Sequence, residues 1–142
     1  MFDIMEVASA GLSAARMRVN VLASNVANAE TTRTEEGGPY KRRDVVQIAR
    51  TEQSSFSNVL DRLSLSRPSI AAVLADQKEP KLVFQPGHPD ANKDGFVAYP
   101  NINVVSTMTD LMSASRLYQA NVTVLETARR MAQDAQSISR TA

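Results

Sequence analysis

The sequence predicts a mainly α chain with a small β-rich middle, in which long N- and C-terminal helices pair as a coiled-coil-like hairpin. Three observations carry that expectation. An unbroken heptad of apolar residues runs through the first thirty or so positions, and two adjacent apolar stripes run through the last third. Between them the pattern changes to short β-branched runs broken by proline and glycine. The segments expected are therefore 1–32 for the N-terminal helix, 33–100 for the β-rich middle with its loops, and 101–142 for the C-terminal helix.

In the first segment Met5, Ala8, Leu12, Ala15, Val19, Leu22, Val26 and Ala29 alternate spacings of three and four. That is the seam of helices packed side by side and not the alternation of a strand. Val7, Ala10, Ala14, Met17 and Val21 form a second stripe beside it. About 25 residues of helix would be roughly 37 Å long, which is long for a compact domain of this chain. Gly11, with Ala8, Ala10, Ala14 and Ala15 around it, keeps one end thin enough for another helix to approach closely. Ser24, Asn25 and Asn28 compete locally for backbone hydrogen bonds. Asn25 and Asn28 either turn the chain at the end of the helix or hydrogen-bond across a helix interface and fix its register. Thr31-Thr32 and Gly37-Gly38-Pro39 then break the helix.

In the middle segment Arg43 to Ala49 reads as a strand, with β-branched residues and partial alternation. A second strand is expected at Ile70 to Leu74. Leu82-Val83-Phe84 and Phe96-Val97-Ala98-Tyr99 make two more, bracketing a proline- and glycine-bearing loop from Gln85 to Gly95. Ser54 to Ser66 reads as a loop with a short amphipathic helix, because Phe56, Val59, Leu60 and Leu63 have helical spacing. A sheet this small is marginal alone and should lean on the helices.

The last segment should be one helix from Val104 to Ile138. Leu117, Asn121, Val124, Ala128, Met131, Ala135 and Ile138 descend one face, and Leu111, Tyr118, Val122, Leu125 and Ala132 a second. The opposite face, from Gln119 and Thr123 through Glu126 and Arg130 to Gln133, Ser137 and Arg140, is polar. Asn103 or Ser106 caps the first turn, Asp110 suits the helix dipole, and Glu126 with Arg130 makes an i,i+4 pair. A helix with one partner needs one apolar stripe of roughly 100°, so two stripes call for at least two partners. The expected packing interface comprises Leu12, Val19, Leu22, Asn25, Val26 and Asn28 on the first helix. On the last helix it comprises Leu111, Leu117, Tyr118, Asn121, Val124, Leu125, Met131 and Ile138. Asn121, the polar break in the seam, is the residue expected to set register.

Composition narrows the function. Tryptophan is absent and aromatics make up only 5% of the 142 residues, so Ala, Val, Leu and Met must supply a core by close helix packing. The net charge of +1 gives no global field towards nucleic acid or an anionic membrane. The basic run Lys41-Arg42-Arg43 lacks the aromatic partners that single-stranded nucleic acid stacks on. No cysteine is present, which excludes thiol catalysis and disulfides. No apolar run approaches 18 residues, so no direct membrane span is expected. Asp3 and Glu6 stand where a signal peptide would carry positive charge, and export would need a route without a cleaved signal.

Asp90-Ala-Asn92-Lys-Asp94-Gly95 matches the opening of a calcium loop. Position 12 of that loop is Asn101 in place of the bidentate glutamate, and the flanks read as strand, which favours an Asx-rich turn over a metal site. His88 is the only histidine and lacks the companions of a zinc site or a Ser-His-Asp triad. Neither a catalytic group nor a cofactor or metal is expected.

Two sets of residues resemble a known family. Ala10-Gly-Leu-Ser-Ala-Ala-Arg16 leading into Asn25-Val-Ala-Asn-Ala-Glu-Thr-Thr32 is similar to the N-terminal signature of flagellar rod, hook and hook-associated proteins. Asn103-Val-Val through Asp110-Leu-Met-Ser-Ala-Ser-Arg-Leu-Tyr-Gln-Ala-Asn121 resembles their C-terminal signature. Gly38-Pro-Tyr-Lys-Arg-Arg43, Gln85-Pro-Gly-His-Pro-Asp90 and Asp94-Gly95 resemble the short proximal-rod members. The resemblance implies a non-enzymatic structural subunit of the bacterial flagellar basal body, in the periplasmic proximal rod that carries torque from motor to hook. It implies terminal helices assembling side by side into a helical tube. The implied partners are other copies of the chain, other rod proteins, the basal-body ring at the rod base and the flagellar type III export apparatus. The alternative is a soluble coiled-coil adaptor or export chaperone. In an isolated rod subunit the terminal helices should be frayed and should order on assembly.

Overall fold

The computed structural model describes residues 2–50 and 66–141, the side chains of residues 2, 3 and 138–141 excepted. The loop and short helix expected around Phe56, Val59, Leu60 and Leu63 fall outside the described residues, as does the side chain of Ile138. The order of elements is α1 (Phe2–Ala27), β1 (Arg43–Arg50), β2 (Arg67–Ala75), β3 (Lys81–Phe84), β4 (Phe96–Tyr99) and α2 (Val104–Thr141). The chain is thus mainly helical, with two long terminal helices and a small antiparallel middle.

The helices lie side by side and run antiparallel. Ile4 shares a groove with Val124 to Met131, and Gly11 lies against Asn121. The buried positions on α1 include Ala8, Ala15, Leu22 and Asn25, within the heptad seam and its polar end. On α2 the covered line is Thr107, Leu111, Ala114, Tyr118, Asn121, Leu125, Ala128 and Ala132, all buried or half-buried. It alternates steps of four and three throughout and takes members from both stripes read in the sequence. Its buried apolar members are the alanines Ala114 and Ala128, which let the helices approach closely. A Cβ added to Gly11 would stand 3.3 Å from Asn121 Nδ2, so Gly11 is the hole in which the Asn121 amide sits.

The start of α2 is capped by Asn103, whose Oδ1 accepts from the Ser106 amide at 3.1 Å, which decides between the two capping candidates. The expected Glu126–Arg130 ion pair does not form; among the described residues the ion pairs are Arg42–Asp44 and Arg67–Glu6. Both side chains of the expected pair are exposed, where such contacts contribute little.

The β-rich middle consists of two separate two-stranded antiparallel sheets, β1–β2 and β3–β4. The first pairs Arg43 with Ala75 through Arg50 with Arg67, with a bulge at Val46/Gln47. It packs on α1. Gln47 Nε2 reaches the Ala14 carbonyl at 3.5 Å, and Arg67 pairs with Glu6. The second stripe of α1 is therefore covered inside the chain where Ala14 and Val21 are buried. The second sheet pairs Lys81 with Tyr99 through Phe84 with Phe96 and holds the fully buried Val97. It is tied to the α1–β1 connection, where the Thr32 hydroxyl donates to Asp90 Oδ2 at 2.8 Å, and not to either helix. Gly95 closes its loop at φ +79°, where a Cβ would stand 2.9 Å from the Phe84 ring.

Candidate functional site

The residues that sequence reasoning assigned to one interface separate into three sets. Leu12, Val19, Leu22 and Val26 of α1 and Leu111, Tyr118, Asn121 and Leu125 of α2 are buried or half-buried, on the lines along which the two helices of a single chain meet. Leu22 is buried and the others retain partial exposure, so the seam is closed along its centre and open along its rims.

Asn25 and Asn28 form the second set, and both turn to the chain's own backbone. Asn25 is fully buried. Its Nδ2 donates to the Arg43 carbonyl at 2.7 Å and its Oδ1 accepts from the Arg43 amide at 2.9 Å. The side-chain amide thus pairs with β1 as a neighbouring strand would. Oδ1 also accepts from the Tyr40 hydroxyl at 3.1 Å, which lies 3.3 Å from Ser24 Oγ. Asn28 Nδ2 donates to the Ser24 carbonyl at 2.9 Å, and its Oδ1 accepts from the Thr31 hydroxyl at 3.2 Å. Of the two alternatives open for these asparagines, Asn28 is the local turn. Asn25 is neither of them: it is the latch between α1 and β1. Its signal in the sequence was only its heptad-adjacent place beside a helix end, and the partner lies 18 residues away in a different element.

The third set is exposed. Leu117, Val124 and Met131 line one flank of α2 and retain about half of their surface or more, up to 60% for Met131. Beyond Ala132 every described side chain of α2 to Ser137 is exposed. Three further residues join this set that sequence reasoning missed. Val105, Met108 and Met112 are exposed on the other flank, Val105 at 76%. Their i, i+3, i+7 spacing is legible in the sequence, but they lie at the start of the helix and belong to neither stripe. Further apolar surface lies on the hairpin, where Val46, Ile48 and Leu74 are exposed on the side of β1–β2 away from Gln47.

The loop between β3 and β4 is organised by its own backbone. Asn92 Oδ1 accepts from the amides of Asp94 and Phe96 at 3.0 and 2.8 Å, so the oxygen a calcium loop would need already holds an Asx turn. His88 Nδ1 accepts from the Asp90 amide at 3.1 Å and its ring lies edge-on to Tyr99. No group of three His, Cys, Asp or Glu able to hold a metal ion occurs among the described residues, and no helix there is long and apolar enough to cross a membrane. What the molecule offers is a folded helical hairpin with apolar flanks left over.

The family described as flagella basal body rod protein matches residues 5–33, and the one described as flagellar basal body rod FlgEFG protein C-terminal matches residues 93–138. Among full-length relatives, flagellar basal-body rod protein FlgC of Borreliella burgdorferi is 36% identical over 147 residues, 97% of each chain. The FlgC protein of Salmonella typhimurium is 38% identical over 132 residues, 92% of each chain. That of Bacillus subtilis is 34% identical over 149 residues, 98% of each chain.

Proposed function

The chain belongs to the FlgC family of flagellar basal-body rod proteins, structural subunits of the rod, and we propose that it builds the proximal rod through the flanks of α2. The observation that carries this reading is the apolar surface remaining after the chain has folded. The α1–α2 seam and the β1–β2 hairpin cover the inner faces, yet Leu117, Val124 and Met131 on one flank and Val105, Met108 and Met112 on the other stay exposed. A monomer gains nothing from such surface, whereas a subunit that ends buried between neighbours does. The partners of this reading are other copies of the chain, other rod proteins, the ring at the rod base and the type III export apparatus, and the location is the periplasmic rod. The product is a shaft that passes torque from motor to hook. It needs no catalytic group, in keeping with the structural role of its relatives.

The division of the chain follows the same reading, with 1–32 and 101–142 as assembly helices and 33–100 as the outward middle. Only part of the terminal structure then depends on assembly. The latch at Asn25 orders the C-terminal half of α1 in the single chain, while the first turns of α1 and the end of α2 beyond Ala132 order against neighbours.

The test is complementation of a strain lacking the gene. Val124→Asp with Met131→Asp should leave the purified monomer folded, abolish motility and leave basal bodies without rods. A doubly substituted chain that still restores motility refutes the proposal. A chain that stays soluble and binds one client stoichiometrically, with no entry into rods, identifies the chaperone alternative.

A further inference from the structure

The two exposed patches of α2 differ in shape and face different ways. Val105, Met108 and Met112 project at i, i+3 and i+7, the anchor spacing of a helix that seats in a groove. The opposite flank is such a groove. It holds a volume of about 670 Å³ between α2 and the first turns of α1, and Ile4, Val124, Ala128 and Met131 line it. Thr123 and Thr127 lie in its wall, but their hydroxyls donate to the carbonyls of Gln119 and Thr123 on their own helix. With those hydroxyls taken up by the helix backbone, the lining of the groove is predominantly apolar.

Position decides what can fill it. Val124 follows Met108 by sixteen residues, which is about 24 Å along a helix and roughly 160° around it at ~100° per residue. Both patches belong to one continuous helix, so neither reaches the other within a copy. Resting on the reading of the chain as a rod subunit, we infer that the Val105–Met108–Met112 ridge of one copy seats in the Ile4–Val124–Met131 groove of a second copy, head to tail. Either like-with-like contact alone would bury one patch, leave the other bare and close as a dimer. Ridge into groove uses both patches of every copy at once, on two different neighbours. It also displaces each copy axially from the last, so the contact does not close and propagates as an open helix. Methionine at two of the three anchors suits a seat built from two helices, since its unbranched thioether chain fills irregular space.

The chain contains no cysteine, which makes the test direct. A Met108→Cys/Val124→Cys double variant, oxidised after incorporation into rods, should give a ladder of disulfide-linked multimers on non-reducing gels. Purified Met108→Cys and Val124→Cys single variants, mixed under assembly conditions, should give dimers and nothing larger, and neither alone should cross-link. Within one copy the two positions are far beyond the ~7 Å Cα separation a disulfide can bridge, so every cross-link reports a neighbour. Rods that form without the ladder overturn the inference while leaving the rod assignment intact, as do dimers formed by Met108→Cys alone. If the cysteines prevent entry into rods, Met108→Lys and Val124→Glu decide. Each should abolish motility singly and the pair should restore it, and failure of the pair to restore it overturns the inference.

Discussion

Replacing Asn25 by alanine removes the side chain that joins α1 to the β-rich middle, and the structure sets the size of the effect. Asn25 is fully buried and makes three hydrogen bonds, two with the backbone of Arg43 and one with the Tyr40 hydroxyl. Such a bond contributes about 1 kcal/mol net, but a buried group left without a partner costs about 1–3 kcal/mol. The Tyr40 hydroxyl still has Ser24 Oγ at 3.3 Å, so the Arg43 amide and carbonyl are the groups orphaned. Asn25→Ala should then destabilise the monomer by about 2–6 kcal/mol, a large share of the ~5–15 kcal/mol available to an ordinary domain. Tyr40→Phe removes one of the three bonds and should cost about 1 kcal/mol. Urea unfolding followed by far-ultraviolet circular dichroism, at concentrations below assembly, measures both. Hydrogen exchange at the Arg43 amide locates the effect, because its protection should collapse in the alanine variant. A loss below about 1 kcal/mol, or an Arg43 amide that stays protected, would refute the latch.

Four further substitutions separate folding from assembly. Gly11→Leu should destabilise the helical hairpin by about 1–3 kcal/mol through overpacking against Asn121, and Asn121→Gly should recover part of that loss in a double-mutant cycle measured by urea unfolding. Gly95→Ala places a Cβ 2.9 Å from the Phe84 ring in a left-handed conformation and should cost about 1–3 kcal/mol, read as lost exchange protection in β3–β4 with α1 unaffected. Leu22→Asp puts a charge at a buried position of the seam and should unfold the monomer. Val124→Asp, at an exposed position, should leave its Tm within a few degrees and remove only assembly, a contrast thermal unfolding and rod counting resolve.

Both long helices and the four strands among the described residues are legible because their signals are local. The heptad from Met5 to Ala29 and the stripes after Leu111 fix helices by periodicity, and Phe96–Tyr99 is bounded by Gly95 and Pro100 so tightly that its limits are the observed ones. What periodicity does not carry is the division of an apolar surface among partners. The line that meets α1 runs Leu111, Ala114, Tyr118, Asn121, Leu125, Ala128. It crosses from one predicted stripe to the other because alanines, which look neutral in a sequence, mark the closest approach. Leu117 and Val124, the larger neighbours, are left outside. The partner of Asn25 is not legible for a related reason: its choice between a helix and a strand depends on where the turn from Asn28 to Tyr40 brings Arg43. That turn is held by the Tyr40 amide donating to the Thr31 carbonyl at 3.0 Å, a contact between residues nine positions apart.

The division has a consequence for how the two helices share their work. The second stripe of α1 looked free for a neighbour, but β1–β2 lies over it and Ala14 and Val21 are buried there. With its seam against α2 and its other stripe under the hairpin, α1 keeps little apolar surface to offer, chiefly Ile4 and Met17. The longer α2 has no second cover of its own. It is 38 residues against 26 for α1, and both of its flanks are bare. Folding therefore covers most of the apolar surface of α1 and leaves both flanks of α2 bare. At the closest approach of the helices Gly11, Ala15, Ala114 and Ala128 stand inside while Leu117, Val124 and Met131 stand outside, which is the arrangement the proposed rod subunit needs for its core to be completed by the next copy.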